Sequence, residues 1–179
     1  MGTWLQLVKL RITIASMVTT SVGYVVYRGQ FDLAMLPALA GIFLQACGAA
    51  ALNQVQDADL DTRMGRTAGR PIPGGRISRG AALGGSLLLL AVGSALLWWS
   101  YGALPALLGV AAAVVYNGIY TPLKRVTPFA ALPGALVGAL PPAAGWVAAG
   151  GHLADPALHQ LTFFFFLWQM PHFWLLLLH

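Results

Sequence analysis

The sequence contains no glutamate, one cysteine and little charge of either sign: five acids, all aspartate, and ten Lys or Arg among 179 residues. Charged residues make up 8% of the chain, against about 25% in an ordinary soluble domain, and that shortfall excludes a soluble globule. The lone Cys47 lies inside an apolar stretch, so it supports neither a disulfide framework nor a thiolate metal cluster and leaves the redox compartment open. No sequence repeat, low-complexity tail or soluble linker divides the chain, which reads as a single membrane domain over residues 1–179. Nor is the first segment expected to be a cleavable signal peptide: Lys9 and Arg11 precede a long apolar run with no clear small-residue cleavage site, which reads as a retained helix.

What is present is hydrophobicity, 58% of residues, arranged in six apolar stretches at roughly 12–27, 33–52, 81–99, 103–120, 129–149 and 157–178. Each approaches the roughly 20 residues a helix needs to cross the hydrocarbon core. None shows the alternation of a barrel strand. The expected fold is therefore all-α, a polytopic membrane bundle of six spanning helices. The bases fall on alternate connections: Lys9 and Arg11 before the first span, Arg63 to Arg79 after the second, Lys124 and Arg125 after the fourth. By the positive-inside rule these connections, and both termini, are expected on the cytoplasmic side. A net charge of +5 could suggest nucleic acid, but bases between apolar runs are simpler to read as a topology signal. No nucleic-acid partner is expected; the lipid bilayer is.

Glycine and proline recur inside the apolar runs, at Gly41, Gly48, Gly109, Pro133, Gly134, Gly138 and Gly145, and most of these suit close helix packing. Pro141 and Pro142 differ. They remove two amide donors in mid-span, which should kink the helix and require neighbouring groups to satisfy the freed carbonyls.

The scarce acids are clustered. Asn53, Asp57 and Asp61 are spaced i, i+4, i+8, which places them on one helical face with neighbours about 6 Å apart, whereas Asp59 points elsewhere. Such carboxylates at a membrane edge repel each other and attract a divalent cation. Mg²⁺ suits them because it prefers oxygen ligands and commonly binds through one or two carboxylates plus substrate phosphates. Arg63, Arg66, Thr67 and Arg70 follow, in a loop that turns through Pro71, Pro73, Gly74 and Gly75 and closes the motif region 53–80. Guanidinium groups match phosphate oxygens bidentately. Acids for a metal and arginines for its anionic partner together describe a diphosphate site. The competing reading, exposed salt bridges in a topology-setting loop, explains the arginines but not the Asn/Asp/Asp face. A diphosphate neutralised in this way is a better leaving group, and an allylic chain would depart as a delocalised cation under largely electrostatic catalysis.

Three blocks together resemble the UbiA-type intramembrane prenyltransferases and, within them, the haem O synthase (protoheme IX farnesyltransferase) family. The first is Asn53-x-x-x-Asp57-x-x-x-Asp61 with Arg66-Thr67 and Arg70-Pro71, similar to the superfamily's first aspartate-rich motif. The second, Tyr120-Thr121-Pro122-Leu123-Lys124-Arg125-x-Thr127-Pro128, is similar to the loop facing the diphosphate from the opposite side; Lys124 and Arg125 would add cationic contacts and Tyr120 a hydrogen-bond donor. The third, Gly138-Ala139-Leu140-Pro141-Pro142-x-x-Gly145-Trp146 with Trp168-Gln169-Met170-Pro171-His172-Phe173-Trp174, points to the haem O synthase branch. Lys9-x-Arg11-Ile12-Thr13 also matches that branch, although Leu10 stands where the family usually has Pro.

The resemblance implies Mg²⁺-dependent transfer of farnesyl from farnesyl diphosphate to a vinyl group of haem B, which is substrate rather than cofactor, giving haem O for terminal oxidases. It implies catalytic and metal roles for Asn53, Asp57 and Asp61, and diphosphate contacts from Arg63, Arg66, Arg70, Tyr120, Lys124 and Arg125. It also implies a multi-pass protein of the inner (plasma) membrane, with haem A synthase and oxidase assembly factors as partners. His172, Trp168 and Trp174 become haem-binding candidates. Imidazole can bind iron, yet a membrane histidine bonded to a neighbouring helix fits His172 equally, and the tryptophans equally suit pocket walls. His152 and His159 read as bystanders. The superfamily has nine spanning helices and a second aspartate-rich motif after the sixth; ending at His179, this chain is expected to represent the N-terminal two-thirds of that fold and to turn over poorly alone. An aromatic or quinone-precursor acceptor, or a transporter built on broken helices, are the alternative functions.

Overall fold

A computed structural model describes residues 2–177, with side chains through Pro171. Its regular structure among the described residues is helical throughout. A short helix α1 (Thr3–Leu7) precedes α2 (Leu10–Arg28), α3 (Leu36–Asp61), α4 (Arg79–Tyr101), α5 (Ala103–Val114), the three-residue α6 (Thr121–Leu123), α7 (Ala131–Ala148) and α8 (Pro156–Leu177). Short 3-10 turns lead into α3 and α7, and a π-helical turn, Val115–Tyr120, joins α5 to α6. Helices are the natural solution for such apolar runs, since lipid offers the backbone no hydrogen-bond partners.

Five continuous segments among the described residues are long and apolar enough to cross a membrane: Leu10–Arg28, Leu33–Asp61, Arg79–Tyr101, Ala103–Leu123 and Pro128–Ala148. The 22 residues of α8 add a sixth, about 33 Å long at 1.5 Å per residue. The chain is thus a multi-pass membrane protein whose six helices coincide with the six apolar stretches. The second is extended, because the polar segment 53–61 continues α3 without a break and keeps its side chains on a rigid element.

The helices α2, α3, α5 and α7 surround a central cleft; α4 packs along α3 and α5, and α8 packs along α7. Local capping fixes the ends. Ser78 Oγ accepts from the Ala81 amide at 3.1 Å to start α4, an N-cap arrangement. Gly102 alone joins α4 to α5 with φ 82° and ψ −172°, a backbone conformation open essentially to glycine only.

Close approach is achieved with small residues. A Cβ on Gly145 would lie 2.0 Å from the Thr20 carbonyl oxygen, and one on Gly23 would lie 1.9 Å from that of Pro142, so α2 and α7 cross backbone to backbone. Gly41 and Gly48 similarly admit Leu97 and the Ser86 carbonyl from α4. Helix α7 runs on through Pro141 and Pro142, with the tight α2 crossing packed against this proline-weakened turn.

The two ends of the bundle differ chemically. At one end Lys9, the 62–78 loop and the Lys124–Arg125 turn all bond to α3. At the other, Tyr27 donates to the Gly150 carbonyl at 3.2 Å, Tyr24 donates to Asp32 at 3.0 Å, and Trp146 and the His152 amide both donate to Asp155 at 2.9 Å. Those two bonds hold the Asp155 carboxyl below the usual carboxylate range. His152 and His159 belong to this second end, His159 meeting the Leu153 carbonyl at 2.7 Å. Cys47 is buried and unpaired.

Gly145→Val should destabilise the detergent-solubilised protein by about 1–3 kcal/mol, the usual penalty of overpacking, seen as a lowered thermal midpoint. Gly84→Ala, where a Cβ meets nothing within 4 Å, should leave the midpoint unchanged or raised. Equal midpoints for the two variants would contradict the close α2–α7 crossing.

Candidate active site

Asn53, Asp57 and Asp61 share one face of α3, as their spacing predicts, and all three are buried, with 1%, 4% and 3% of their surface exposed. Exposed loop salt bridges are therefore the wrong description of this cluster. Such a pair does exist one step round the helix, where Asp59 meets Arg79 with both side chains largely in solvent.

Each buried acid meets cationic groups drawn from a different segment. Arg70 grips Asp61 with one guanidinium nitrogen at 2.9 and 2.7 Å from its two carboxylate oxygens. Lys124 Nζ lies 2.5 Å from one oxygen of Asp57 and Arg125 Nη2 lies 2.8 Å from the other. Arg125 also donates to the Gln56 carbonyl at 3.0 Å, which ties the turn to α3. Lys9 Nζ donates to Asn53 Oδ1 at 2.7 Å. The Asn53 amide then donates to Asp57 at 3.1 Å and to Thr121 Oγ1 at 2.9 Å. Four bases against two carboxylates leave the cluster with two positive charges in excess, the electrostatics of a site for an anion.

Local sequence explains how these groups arrive. The chain breaks between α1 and α2, and Lys9 takes a left-handed conformation at φ 53°, unusual for a residue with a side chain. Gln54, the neighbour of Asn53, secures the break by donating to the Gln6 and Leu7 carbonyls at 2.9 and 2.8 Å. Burial, aided by Arg70 and Lys124 and opposed by the two aspartates, pushes the Lys9 ammonium down to about 8. Across the cleft the π turn supplies the other wall. Such turns concentrate at functional sites. Here the Thr121 hydroxyl donates five residues back to the Tyr116 carbonyl at 2.8 Å while accepting from Asn53. The Tyr116 and Tyr120 rings stack with centroids 5.5 Å apart, and Lys124 Nζ sits 5.7 Å over the Tyr120 ring.

Thr67 closes the loop side, donating to the Asp61 carbonyl at 3.1 Å. Arg63 and Arg66 lie exposed beyond it. The structure thus brings Arg70, Lys124 and Arg125 onto the acids, sets Tyr120 beside Lys124, and keeps Arg63 and Arg66 at the rim. Trp168 is 70% exposed on α8 and stacks on Phe164, with no hydrogen bond to the acidic cluster. The side chains of His172 and Trp174 lie outside the described residues. Three contributors were not singled out as site residues by sequence reasoning: Lys9, Thr121 and Asn117. Lys9 reads as a topology base and Thr121 as part of a motif string. Asn117 is buried in the π turn with Oδ1 unpartnered, and its only sequence signal is an amide within an apolar run.

Below the acids a cleft with a cavity volume of about 90 Å³, partly open to its surroundings, runs down between α2, α3, α5 and α7. Lys9 and Tyr116 line its upper part, and Ala46, Ala49, Ala50 and Pro141 its apolar walls. A charged mouth over an apolar shaft suits a molecule with an anionic head and a hydrocarbon tail.

For Mg²⁺, the donor set is oxygen throughout: the Asn53 carbonyl and the Asp57 and Asp61 carboxylates. Among the described residues no third carboxylate, His or Cys joins them to form a protein-only metal cage. This fits an ion that takes one or two carboxylates and completes its shell with phosphate and water.

The chain matches the profile of the UbiA prenyltransferase family over residues 16–179. It belongs to that family. It is 42% identical over 167 residues to a protoheme IX farnesyltransferase of Oleidesulfovibrio alaskensis, covering 92% of this chain and 59% of that protein. To the protoheme IX farnesyltransferase of Nitratidesulfovibrio vulgaris it is 44% identical over 172 residues, again covering 59% of the relative. The chain therefore spans about three-fifths of the length of these relatives. Among solved structures, a UbiA homologue from Archaeoglobus fulgidus bound to DMAPP and Mg²⁺ superimposes with a TM-score of 0.75 at 16% identity, covering 96% of this chain and 62% of that one. At that identity the likeness establishes the shared fold.

Thr121→Val should cost about 1–3 kcal/mol, because it leaves the buried Asn53 amide short of an acceptor, whereas Thr121→Ser should retain most of the stability. Thermal denaturation in detergent compares them, and a valine variant as stable as the serine one would contradict the Asn53–Thr121 link.

Proposed function

We propose that the whole protein transfers a farnesyl group from farnesyl diphosphate to a vinyl group of haem B, producing haem O and diphosphate. The observation that carries this reading is the buried Asn53/Asp57/Asp61 face, ringed by an excess of bases, at the mouth of an apolar cleft. The haem acceptor is supported by two 42–44% identical relatives that bear the name protoheme IX farnesyltransferase.

In this reading Asn53, Asp57 and Asp61 hold Mg²⁺, which when bound neutralises the diphosphate and makes it a better leaving group. Lys124, Arg125 and Arg70 hold the phosphate oxygens, released from their carboxylate partners when the head group enters. Arg63 and Arg66 contact the diphosphate from the rim, and Tyr120 donates a hydrogen bond beside Lys124. The alanine-rich wall of α3 holds the isoprenoid chain straight below its head, fixing C1 at the level of Asn53. The C1–O bond breaks with its electron pair leaving on diphosphate, a vinyl carbon of haem bonds to C1, and water adds to the resulting cation with loss of a proton. Once turned onto the phosphate oxygens, these bases stabilise the charge that develops on the departing diphosphate. His172, Trp168 and Trp174 are the proposed haem contacts. The charged end of the bundle and both termini of this segment face the cytoplasm, in the plasma membrane, where haem A synthase and oxidase assembly factors would receive the product.

Membranes containing the full-length protein, given farnesyl diphosphate, Mg²⁺ and either haem B or 4-hydroxybenzoate, should convert haem B alone. Prenylation of 4-hydroxybenzoate alone would overturn the acceptor assignment. Asp57→Asn should lower turnover per folded molecule on the order of 100-fold or more, and chelation of Mg²⁺ should reproduce that loss in the unmodified protein. Activity within a few-fold of the parent would remove Asp57 from the mechanism.

A further inference from the structure

Every side-chain oxygen that the Asn53/Asp57/Asp61 face offers to a metal is engaged by a base. Asp57 gives one carboxylate oxygen to Lys124 at 2.5 Å and the other to Arg125 at 2.8 Å. Both oxygens of Asp61 accept from Arg70, at 2.9 and 2.7 Å. The Asn53 amide nitrogen is committed to Asp57 and Thr121, which leaves its oxygen to accept from Lys9 Nζ at 2.7 Å. Further lone pairs on these oxygens do not help a dication, because a cationic nitrogen already lies within 2.9 Å of each one. Metal and bases therefore compete for the same oxygens.

The acids are fixed, and the bases have room to turn. The Asp57 and Asp61 side chains are 6% and 5% exposed, whereas those of Arg70, Lys124 and Arg125 are 29%, 23% and 41% exposed. The segments that carry the bases keep other anchors on α3: Thr67 donates to the Asp61 carbonyl at 3.1 Å, and Thr121 accepts from Asn53 at 2.9 Å. Removing one partner of a buried pair leaves an uncompensated charge. With a metal alone on the acids, Arg70, Lys124 and Arg125 would stand unpaired beside a dication, in a cluster already positive. With a diphosphate alone on the bases, Asp57 and Asp61 would stand unpaired beside an anion. When both bind, the partners are exchanged, acids to metal and bases to phosphate, and each buried charge keeps an opposite neighbour.

We infer that these ion pairs interlock the two halves of the site, so that it takes metal and diphosphate as a complex and holds neither well by itself. Linkage makes the effect reciprocal: the diphosphate raises affinity for the metal by the factor by which the metal raises affinity for the diphosphate. The inference rests on the prenyl diphosphate reading of the site.

Calorimetry of inorganic pyrophosphate binding to the full-length protein in detergent, in Mg²⁺ and in EDTA, tests it. The unmodified protein should bind pyrophosphate about 100-fold more weakly in EDTA. Asp57→Asn keeps the side-chain shape but withdraws the charge that holds Lys124 and Arg125, so it should raise metal-free affinity about tenfold. Asp59→Asn removes the same charge from the exposed Asp59–Arg79 pair and should change metal-free affinity less than about twofold. For the metal half, Arg70→Gln uncovers both oxygens of Asp61 and should add Mn²⁺ bound without pyrophosphate, read by electron paramagnetic resonance, where Arg79→Gln adds none. Asp57→Asn that binds metal-free pyrophosphate no better than Asp59→Asn overturns the inference, and so does Arg70→Gln that gains no Mn²⁺. Equal affinity of the unmodified protein in Mg²⁺ and EDTA overturns it even if no variant folds. Absence of pyrophosphate binding in both conditions would refute the diphosphate reading itself, and the inference with it.

Discussion

Two carboxylates buried at the end of an apolar helix are the constraint on which the rest of this structure depends. Moving an ionised carboxylate out of water costs several kcal/mol even after relaxation, and α3 buries both Asp57 and Asp61 to within a few per cent of full enclosure. Their partners come from three separate places in the chain: the loop after α3, the turn after α5, and, through Asn53, the break before α2. Satisfying the acids therefore assembles the charged end of the bundle. The same requirement explains the unusual backbone there. The left-handed Lys9 and the π turn at Val115–Tyr120 each aim a polar group at α3 that regular helix would direct elsewhere.

Beneath that polar layer the packing follows the opposite rule. Without a hydrophobic driving force between helices in lipid, backbones must come close to gain dispersion contacts, and glycines at the α2–α7 and α3–α4 crossings allow it. Close crossings on the outside leave the shaft in the centre, walled by alanines on α3 and closed by the Ile42 cluster. Head and tail chemistry thus occupy adjoining stretches of one helix: Asn53 to Asp61 carries charge, and Ile42 to Ala50 carries hydrocarbon with Gln45 as its one polar interruption.

Much of this was legible in the sequence. Apolar run length gives the six helices because a bilayer fixes the span, and the i, i+4, i+8 spacing of Asn53, Asp57 and Asp61 gives their common face because α3 has no breaker before Asp61. The basic partners were legible as a set, since Arg70, Lys124 and Arg125 stand in the two connections flanking the motif. Which base meets which acid was not, because that pairing depends on the three-dimensional approach of the α5–α6 turn. Lys9 and Thr121 were hidden for a related reason: a lysine at a helix start and a threonine before a proline are common, and only the break after α1 and the π turn give them a role. Gln45 carries only the signal of an amide within an apolar run. Its placement comes from Ser94 and Ala106 fixing its orientation and Gly109 leaving it space.

The most direct test of the account is a structure of the full-length protein with Mg²⁺ and a non-reactive thio analogue of farnesyl diphosphate. A metal should then lie about 2.0–2.1 Å from Asp57 and Asp61 oxygens, with Lys124 and Arg70 turned from those carboxylates onto phosphate and the tail running along Ala50, Ala49 and Ala46 of α3. A diphosphate bound elsewhere, with Asp57 still paired to Lys124 and Arg125, would contradict it.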